Sequence, residues 1–353
     1  MRLSVTVPER IRESIVTVER FRYVRGVRSA SYSFCLVGLG VLVCAACGDD
    51  ETGSGGGPTT TSTTTTGATS SASTTSTTTS TTSGGMVTDD FTAGGDRPVT
   101  VKVPSSYDPA TPTPLLVLLH GYSATGAIQD LYFGLTPVAE ARGIVYAHPD
   151  GTTDTSGNQF WNATNACCDF GATGVDDVGY LLGLVDEISA KVNIDPKRIY
   201  FAGHSNGGFM SYRMACEASD RIAAIVSLAG AGYADAEACG ASEPLSVLQI
   251  HGDMDATVLY AGGTLGAPHP SAAESTSYFA ALAGCDAALT DGGAPLDLDS
   301  GLAGAETTVQ TYANCSAGVD VELWTIIGGG HIPSLAPGFA EKLTDFLLAH
   351  PKP

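Results

Sequence analysis

The chain has 353 residues and 43% hydrophobic content, enough to bury a sizeable core in one large domain or two small ones, which excludes a wholly disordered protein. Seven arginines fall before position 29, so from Cys47 onward 10 basic residues face 34 acidic ones, a net charge of −24. Nonspecific binding to nucleic acid or to anionic membranes needs clustered Lys and Arg, so neither partner is expected, and a neutral substrate fits better.

The first element along the chain is an export segment. Residues 33–46, SFCLVGLGVLVCAA, follow Arg22, Arg25 and Arg28 and are too short an apolar run to span a bilayer comfortably. The run ends in Val43-Cys44-Ala45-Ala46-Cys47-Gly48, small residues before a cysteine, a pattern that resembles the lipobox of bacterial lipoproteins. The expectation is therefore a signal peptide over 1–47, with Cys47 cleaved to the N-terminus and acylated; a plain signal peptide with an incidental cysteine is the alternative. Residues 1–21 lack signal character, so a translation start near Val24 or Val27 is a further expectation. Membrane contact is expected only through that anchor, at the cell envelope or surface, with full secretion as the other possibility. Positions 59–83 hold 22 Ser or Thr among 25 residues and have almost nothing to bury, which predicts a solvated tether over 48–85 and a folded module over 86–353. A glycosylated stalk implies the same geometry.

Six cysteines remain in the module: Cys167, Cys168, Cys216, Cys239, Cys285 and Cys315. In an exported chain an even count suggests three disulfides, with fifteen connectivities open. We expect Cys285 to pair with Cys315 and the adjacent Cys167 and Cys168 to reach Cys216 and Cys239 separately. Zinc is the rival reading, but no C-x2-C pair exists among these six, and neither a metal nor an organic cofactor is expected.

Short apolar runs at Leu115–Leu119, Ile144–Ala147, Ile199–Ala202, Ala223–Leu228, Leu245–Ile250 and Val321–Ile327 predict buried parallel strands. Between them, helical spacing is clearest over Val175–Val192 and Phe339–Leu348. The alternation predicts an α/β fold, a mostly parallel sheet with helices on both faces, and the functional loops of such a sheet follow the carboxyl ends of its strands.

Gly203-His204-Ser205-Asn206-Gly207 is a G-x-S-x-G motif directly after a strand, with Phe209–Ala218 able to form the next helix. In a chain with 43 glycines the pattern alone is weak; its strand-to-helix placement makes it a nucleophile elbow. A serine hydroxyl attacks an ester only when a base takes its proton, so a histidine and an acid are needed at later strand ends. Asp255 follows the strand ending at Ile250, and His331 follows the last strand through Gly328-Gly329-Gly330. The order Ser205, Asp255, His331 matches an α/β-hydrolase triad. His120, His204 and His251 also sit near strand ends, where loop packing explains each better than catalysis. The His120-Gly121-Tyr122 turn offers the Tyr122 backbone N–H, which with that of Asn206 makes a candidate oxyanion hole; an ordinary turn is the alternative. Trp161 and Asn162, in the loop that carries Cys167-Cys168, are expected to border the acyl or alcohol site, with Trp161 offering a flat apolar face; a structural plug is the other reading.

The stretches LLVLLHGYSATG (115–126), FWNATNACCD (160–169), GVDDVGYL (174–181), IDPKRIYFAGHSNGGFMSYRMACE (194–217), HGDMDATVLYAGG (251–263) and VELWTIIGGGH (321–331) make the chain similar to the esterase family that includes bacterial poly(3-hydroxybutyrate) depolymerases and feruloyl and acetylxylan esterases of carbohydrate esterase family one. The resemblance spans nearly all of 99–349. It implies an α/β-hydrolase fold, neutral small or oligomeric esters of plant cell-wall or polyester origin as substrates, and Ser205, Asp255 and His331 as the triad, with Asp255 rather than Asp253 as the acid. A proline is commoner in the family where Ala256 and Leu259 stand, and a tryptophan is commoner than Ile332-Pro333, so the cleft rim is its own. A noncatalytic recognition module on the same fold and a serine peptidase are the competing functions.

Overall fold

Continuous apolar runs become central strands because side chains alternate faces along a strand, and a run apolar at every position needs cover on both sides. The computed structural model describes residues 86–316 and 318–353; the predicted signal, Cys47 and the tether lie outside the described residues. A hairpin of β1 (Phe91–Ala93) and β2 (Val99–Val101) leads into β3 (Thr113–Leu119), helices α1 (Gly126–Phe133) and α2 (Leu135–Arg142), and β4 (Val145–Ala147). A second hairpin, β5 (Thr152–Thr153) and β6 (Gln159–Phe160), precedes α3 (Asp177–Lys191), β7 (Ile194–His204), α4 (Asn206–Glu217), β8 (Ala224–Leu228) and β9 (Ser246–Gly252). Then come the hairpin β10 (Gly263–Thr264) and β11 (Pro268–His269), α5 (Ala272–Leu282), β12 (Leu289–Asp291), β13 (Thr307–Tyr312), β14 (Val321–Ile326) and α6 (Phe339–Ala349).

The central sheet runs in the order β12-β13-β14-β9-β8-β7-β3-β4. Six neighbouring strands, β14 through β4, are parallel, and β13 and β12 add antiparallel to the β14 edge. Leu115, Val117 and Leu119 face one core layer with α3, α4 and α5, while Leu116 and Leu118 face the other with α1, α2 and α6. This is the expected α/β architecture, and all six predicted strands are present. The β7 strand is longer than its apolar run, starting at Ile194, and α3 is trimmed to its caps: the Asp176 side chain accepts from Gly179 N at 2.8 Å, and Lys191 stands in the last turn.

Cys285–Cys315 forms as expected, but the other pairing is corrected. Cys216, in the last turn of α4, bonds Cys239, and Cys167 bonds its neighbour Cys168. The loop carrying the adjacent pair closes on itself, Cys167 N donating to Thr164 O and Cys168 N to Trp161 O, so its two sulfurs meet each other rather than α4. The two long-range bridges close loops with sequence separations of 23 and 30, each contributing about 3 kcal/mol on the chain-entropy model.

Candidate active site

Ser205 joins β7 to α4 with φ 54° and ψ −119°, a strained conformation that costs a non-glycine residue on the order of 1–3 kcal/mol. The flanking glycines follow from this turn. A Cβ on Gly203 would run into the backbone of Gly207, and one on Gly207 into the carbonyl of Leu119. Ser205 N donates to Leu228 O at 2.8 Å and its carbonyl accepts from Phe209 N at 3.0 Å, so neighbouring β8 and the first turn of α4 hold the strained residue from both sides.

His331 comes back over the elbow on the loop after β14. Its Nε2 lies 2.9 Å from Ser205 Oγ, and its Nδ1 lies 2.7 Å from Asp255 Oδ2. The other carboxylate oxygen of Asp255 accepts from Thr257 N at 2.7 Å and Val258 N at 2.9 Å, and Oδ2 also lies 3.2 Å from Nε2 of buried His251. Burial pushes the Asp255 carboxyl upward, but the hydrogen bonds from His251 and His331, the charge of His331 and the Thr257 amide outweigh it and hold the group well below the usual carboxylate range. Asp255 is therefore ionised and aimed at Nδ1. Asp253 is exposed and accepts from Gly328 N at 2.6 Å, so it braces the glycine loop without reaching the imidazole.

The Tyr122 and Asn206 backbone N–H groups have no protein acceptor among the described residues. His120 fixes the first of these turns: Gly151 N donates to its Nε2 at 2.8 Å, leaving its Nδ1–H to donate to Gly121 O at 2.8 Å. Gln129 adds an acceptor for Gly121 N at 3.1 Å. Asn206 is anchored by its side chain, which accepts from Trp161 N at 2.7 Å and donates to Trp161 O at 2.9 Å.

Those bonds correct the expectation for Trp161. Its indole is fully buried against His120 and Tyr180, with the Arg97 guanidinium near the ring, so it offers no face to a substrate; the plug reading describes it. Asn162 is half-buried, its amide bonding Val175 O at 2.8 Å, and it lines a cavity of about 300 Å³ with Thr164, Asp169, Phe170 and Gly266. Phe170 is the aromatic residue that the sequence reading missed: its exposed ring packs edge-on to Tyr122 with centroids 5.6 Å apart. Nothing in its spacing marked it, since it follows the disulfide pair in an irregular loop. Among the described residues no cluster of three His, Cys, Asp or Glu side chains offers a metal site.

His204 was assigned to loop packing, and its ring does pack, though on the triad itself. Its Nε2 lies 2.9 Å from the His331 carbonyl oxygen and its ring 5.1 Å from the His331 ring. Burial pushes its pKa down from 6.5 to about 4. Between these values the unfolded chain binds a proton that the folded chain refuses, so stability rises with pH through the window and is lost as pH falls through it, by about 3 kcal/mol for this ring. Denaturant unfolding of wild type and His204→Gln at the two ends of the window should show a shallower pH slope in the variant by about that amount; equal slopes would refute the assignment.

Comparison with known proteins finds the same fold and relatives named as esterases. Residues 133–252 match the model of the Prolyl oligopeptidase family, a span that contains the elbow and stops before Asp255 and His331. Feruloyl esterase B of Piromyces equi is 32% identical over 244 residues, covering 67% of this chain and 42% of that protein, so the chain spans less than half of that relative's length. A putative esterase, NocK, of Nocardia uniformis subsp. tsuyamanensis is 29% identical over 63% of this chain and 67% of its own length, and feruloyl esterase D of Neurospora crassa is 27% identical over 68% and 76%. Among solved structures, an acetyl xylan esterase from Aspergillus awamori has the same fold, with a TM-score of 0.50 and 17% identity over 74% of this chain and 98% of that one. The chain has the α/β-hydrolase fold and is similar in sequence to feruloyl esterases and a putative esterase.

Proposed function

We propose that the protein is an exported serine carboxylic-ester hydrolase acting on neutral esters through Ser205, His331 and Asp255. The observation that carries the reading is the unbroken hydrogen-bonded line from Ser205 Oγ through the His331 ring to Asp255, beside two backbone N–H groups that have no protein acceptor among the described residues. His331 Nε2 takes the serine proton as Oγ attacks the ester carbonyl, and Asp255 balances the imidazolium that forms. The carbonyl oxygen becomes an oxyanion facing the Tyr122 and Asn206 N–H groups. When the intermediate collapses, the imidazolium hands its proton to the departing alkoxide, leaving an acyl-serine. Water then attacks with its proton passing to Nε2, and Ser205 leaves with that proton as the acid is released.

The substrates favoured are feruloyl or hydroxyalkanoate-type esters. Several relatives, feruloyl esterases B and D among them, carry the name feruloyl esterase. Exposed Phe170 packs beside Tyr122, and exposed Met254, Leu259 and Ile332 stand on the loops that carry the proposed acid and base, which supports an ester with an apolar part, while the cavity bordered by Asn162 offers mainly polar groups. Peptide hydrolysis is the second reading, favoured by the match to the Prolyl oligopeptidase family. Export rests on the sequence of 1–47 and on the three disulfides, which suit an oxidising compartment.

A panel of p-nitrophenyl butyrate, a feruloyl ester, a hydroxybutyrate oligomer and chromogenic peptides checks the reading. Ester turnover is expected in wild type and absent in Ser205→Ala at unchanged melting temperature; peptide turnover exceeding ester turnover would overturn it. Asp255→Asn is expected to lower kcat on the order of 10³- to 10⁴-fold, and Asp253→Asn only a few-fold. The reverse order would move the acid to Asp253. In cells fed an alkynyl fatty acid, wild type should be labelled and Cys47→Ala should not; equal labelling of both would remove the anchor.

A further inference from the structure

Gln249 and His251 stand two residues apart on β9, so their side chains share one face of the strand, and both are buried. Gln249 Nε2 lies 2.9 Å from Gly230 O. A carbonyl only accepts, so this contact fixes which end of the amide is nitrogen. The same nitrogen lies 3.0 Å from His251 Nδ1, which must then present its lone pair, and the ring carries its proton on Nε2. That N–H is donated to Val258 O at 2.8 Å, and the same nitrogen lies 3.2 Å from Asp255 Oδ2.

We infer that His251 is a positioning residue for the catalytic acid: locked as the Nε2–H tautomer by Gln249, it donates to the same Asp255 oxygen that accepts from His331 and keeps that oxygen in line with the imidazole. The inference rests on the proposed Ser205–His331–Asp255 triad. The Thr257 and Val258 amides hold Oδ1 and leave the carboxylate free to tilt about that oxygen; His251 supplies the second restraint, on Oδ2, from the buried side. A neutral ring suits the task, since it restrains the carboxylate without adding a positive charge that would compete with the imidazolium formed during turnover. Tyr260 closes the pocket, its ring edge-on to His251 with centroids 5.6 Å apart and its hydroxyl 2.8 Å from Thr325 Oγ1.

The test compares the full chain with His251→Leu and with His251→Gln, whose amide can still donate from the Nε2 position. His251→Leu is expected to lower kcat about 10- to 100-fold, the worth of one hydrogen bond to a charged group, with KM within about twofold, and His251→Gln to recover most of the loss. The low-field proton resonance of His331 Nδ1–H, assigned by its disappearance in His331→Gln, should weaken or shift in His251→Leu and return in His251→Gln. Wild-type kcat with an unchanged resonance in a folded His251→Leu protein would overturn the inference, as would a fall in melting temperature with neither readout altered. If His251→Leu does not fold, Gln249→Leu releases the tautomer lock and should perturb the same resonance; an unchanged signal there also overturns it. The resonance is read without substrate, so a chain that turned over no ester yet kept this response would fail as an esterase and leave the role of His251 standing.

Discussion

The site depends on one close approach, the first turn of α4 lying against the ends of β7 and β3 at a range that admits no Cβ on Gly203 or Gly207. That contact forces Ser205 to φ 54° and lifts its side chain clear of both elements. The strain is small beside what surrounds it: β7, β3 and β8 bury nearly every side chain along their inner stretches, and the Ser205 backbone is bonded on both sides. The same turn leaves the Asn206 N–H at the open end of a helix, where no carbonyl of α4 can accept it. The positions of the proposed nucleophile and of the proposed oxyanion donor are therefore consequences of a single packing constraint.

Three buried histidines then fix the parts that packing alone leaves free. His120 bonds the Gly121 carbonyl and sets the turn bearing the Tyr122 N–H; His204 bonds the His331 carbonyl and holds the base loop; His251 reaches Asp255. His120 accepts from Gly151 N and His251 from Gln249 Nε2, while His204 donates to the His331 carbonyl. For His120 and His204 burial pushes the ring toward its neutral form, so neither adds a cation beside the proposed base. A charged side chain in any of these places would carry a desolvation cost of several kcal/mol and would compete for Asp255.

Much of this was legible in the sequence, and the exceptions have physical reasons. Parallel strands are apolar at consecutive positions, so β3, β8, β9 and β14 stand out, whereas β13 buries only its two ends and β12 is a three-residue edge, and neither shows that signal. Ser205, Asp255 and His331 could be named because each must follow a strand end, which is a property of order along the chain. What each supporting histidine bonds is a property of distance between loops, and sequence spacing does not carry it. Trp161 illustrates the same limit: an aromatic residue in a loop at the carboxyl edge can face the cleft or the core, and its reciprocal backbone bonds to the Asn206 side chain settle the direction.

Those reciprocal bonds also separate the part of the site that tolerates change from the part that does not. The Trp161 backbone is tied to Asn206, and Asn162 N donates to Asp177, itself buried and paired with Arg97, so the base of the disulfide loop and the nucleophile share one rigid support. A substitution at Trp161 or Asp177 would move the elbow along with the loop. Phe170, Leu259 and Ile332, by contrast, are exposed, and removing their side chains leaves the support untouched. Ala256, Leu259 and Ile332-Pro333 lie in the loops that carry the proposed acid and base rather than on that support. The rim can therefore change while the geometry at Ser205 stays fixed, because the two are built on different sets of contacts.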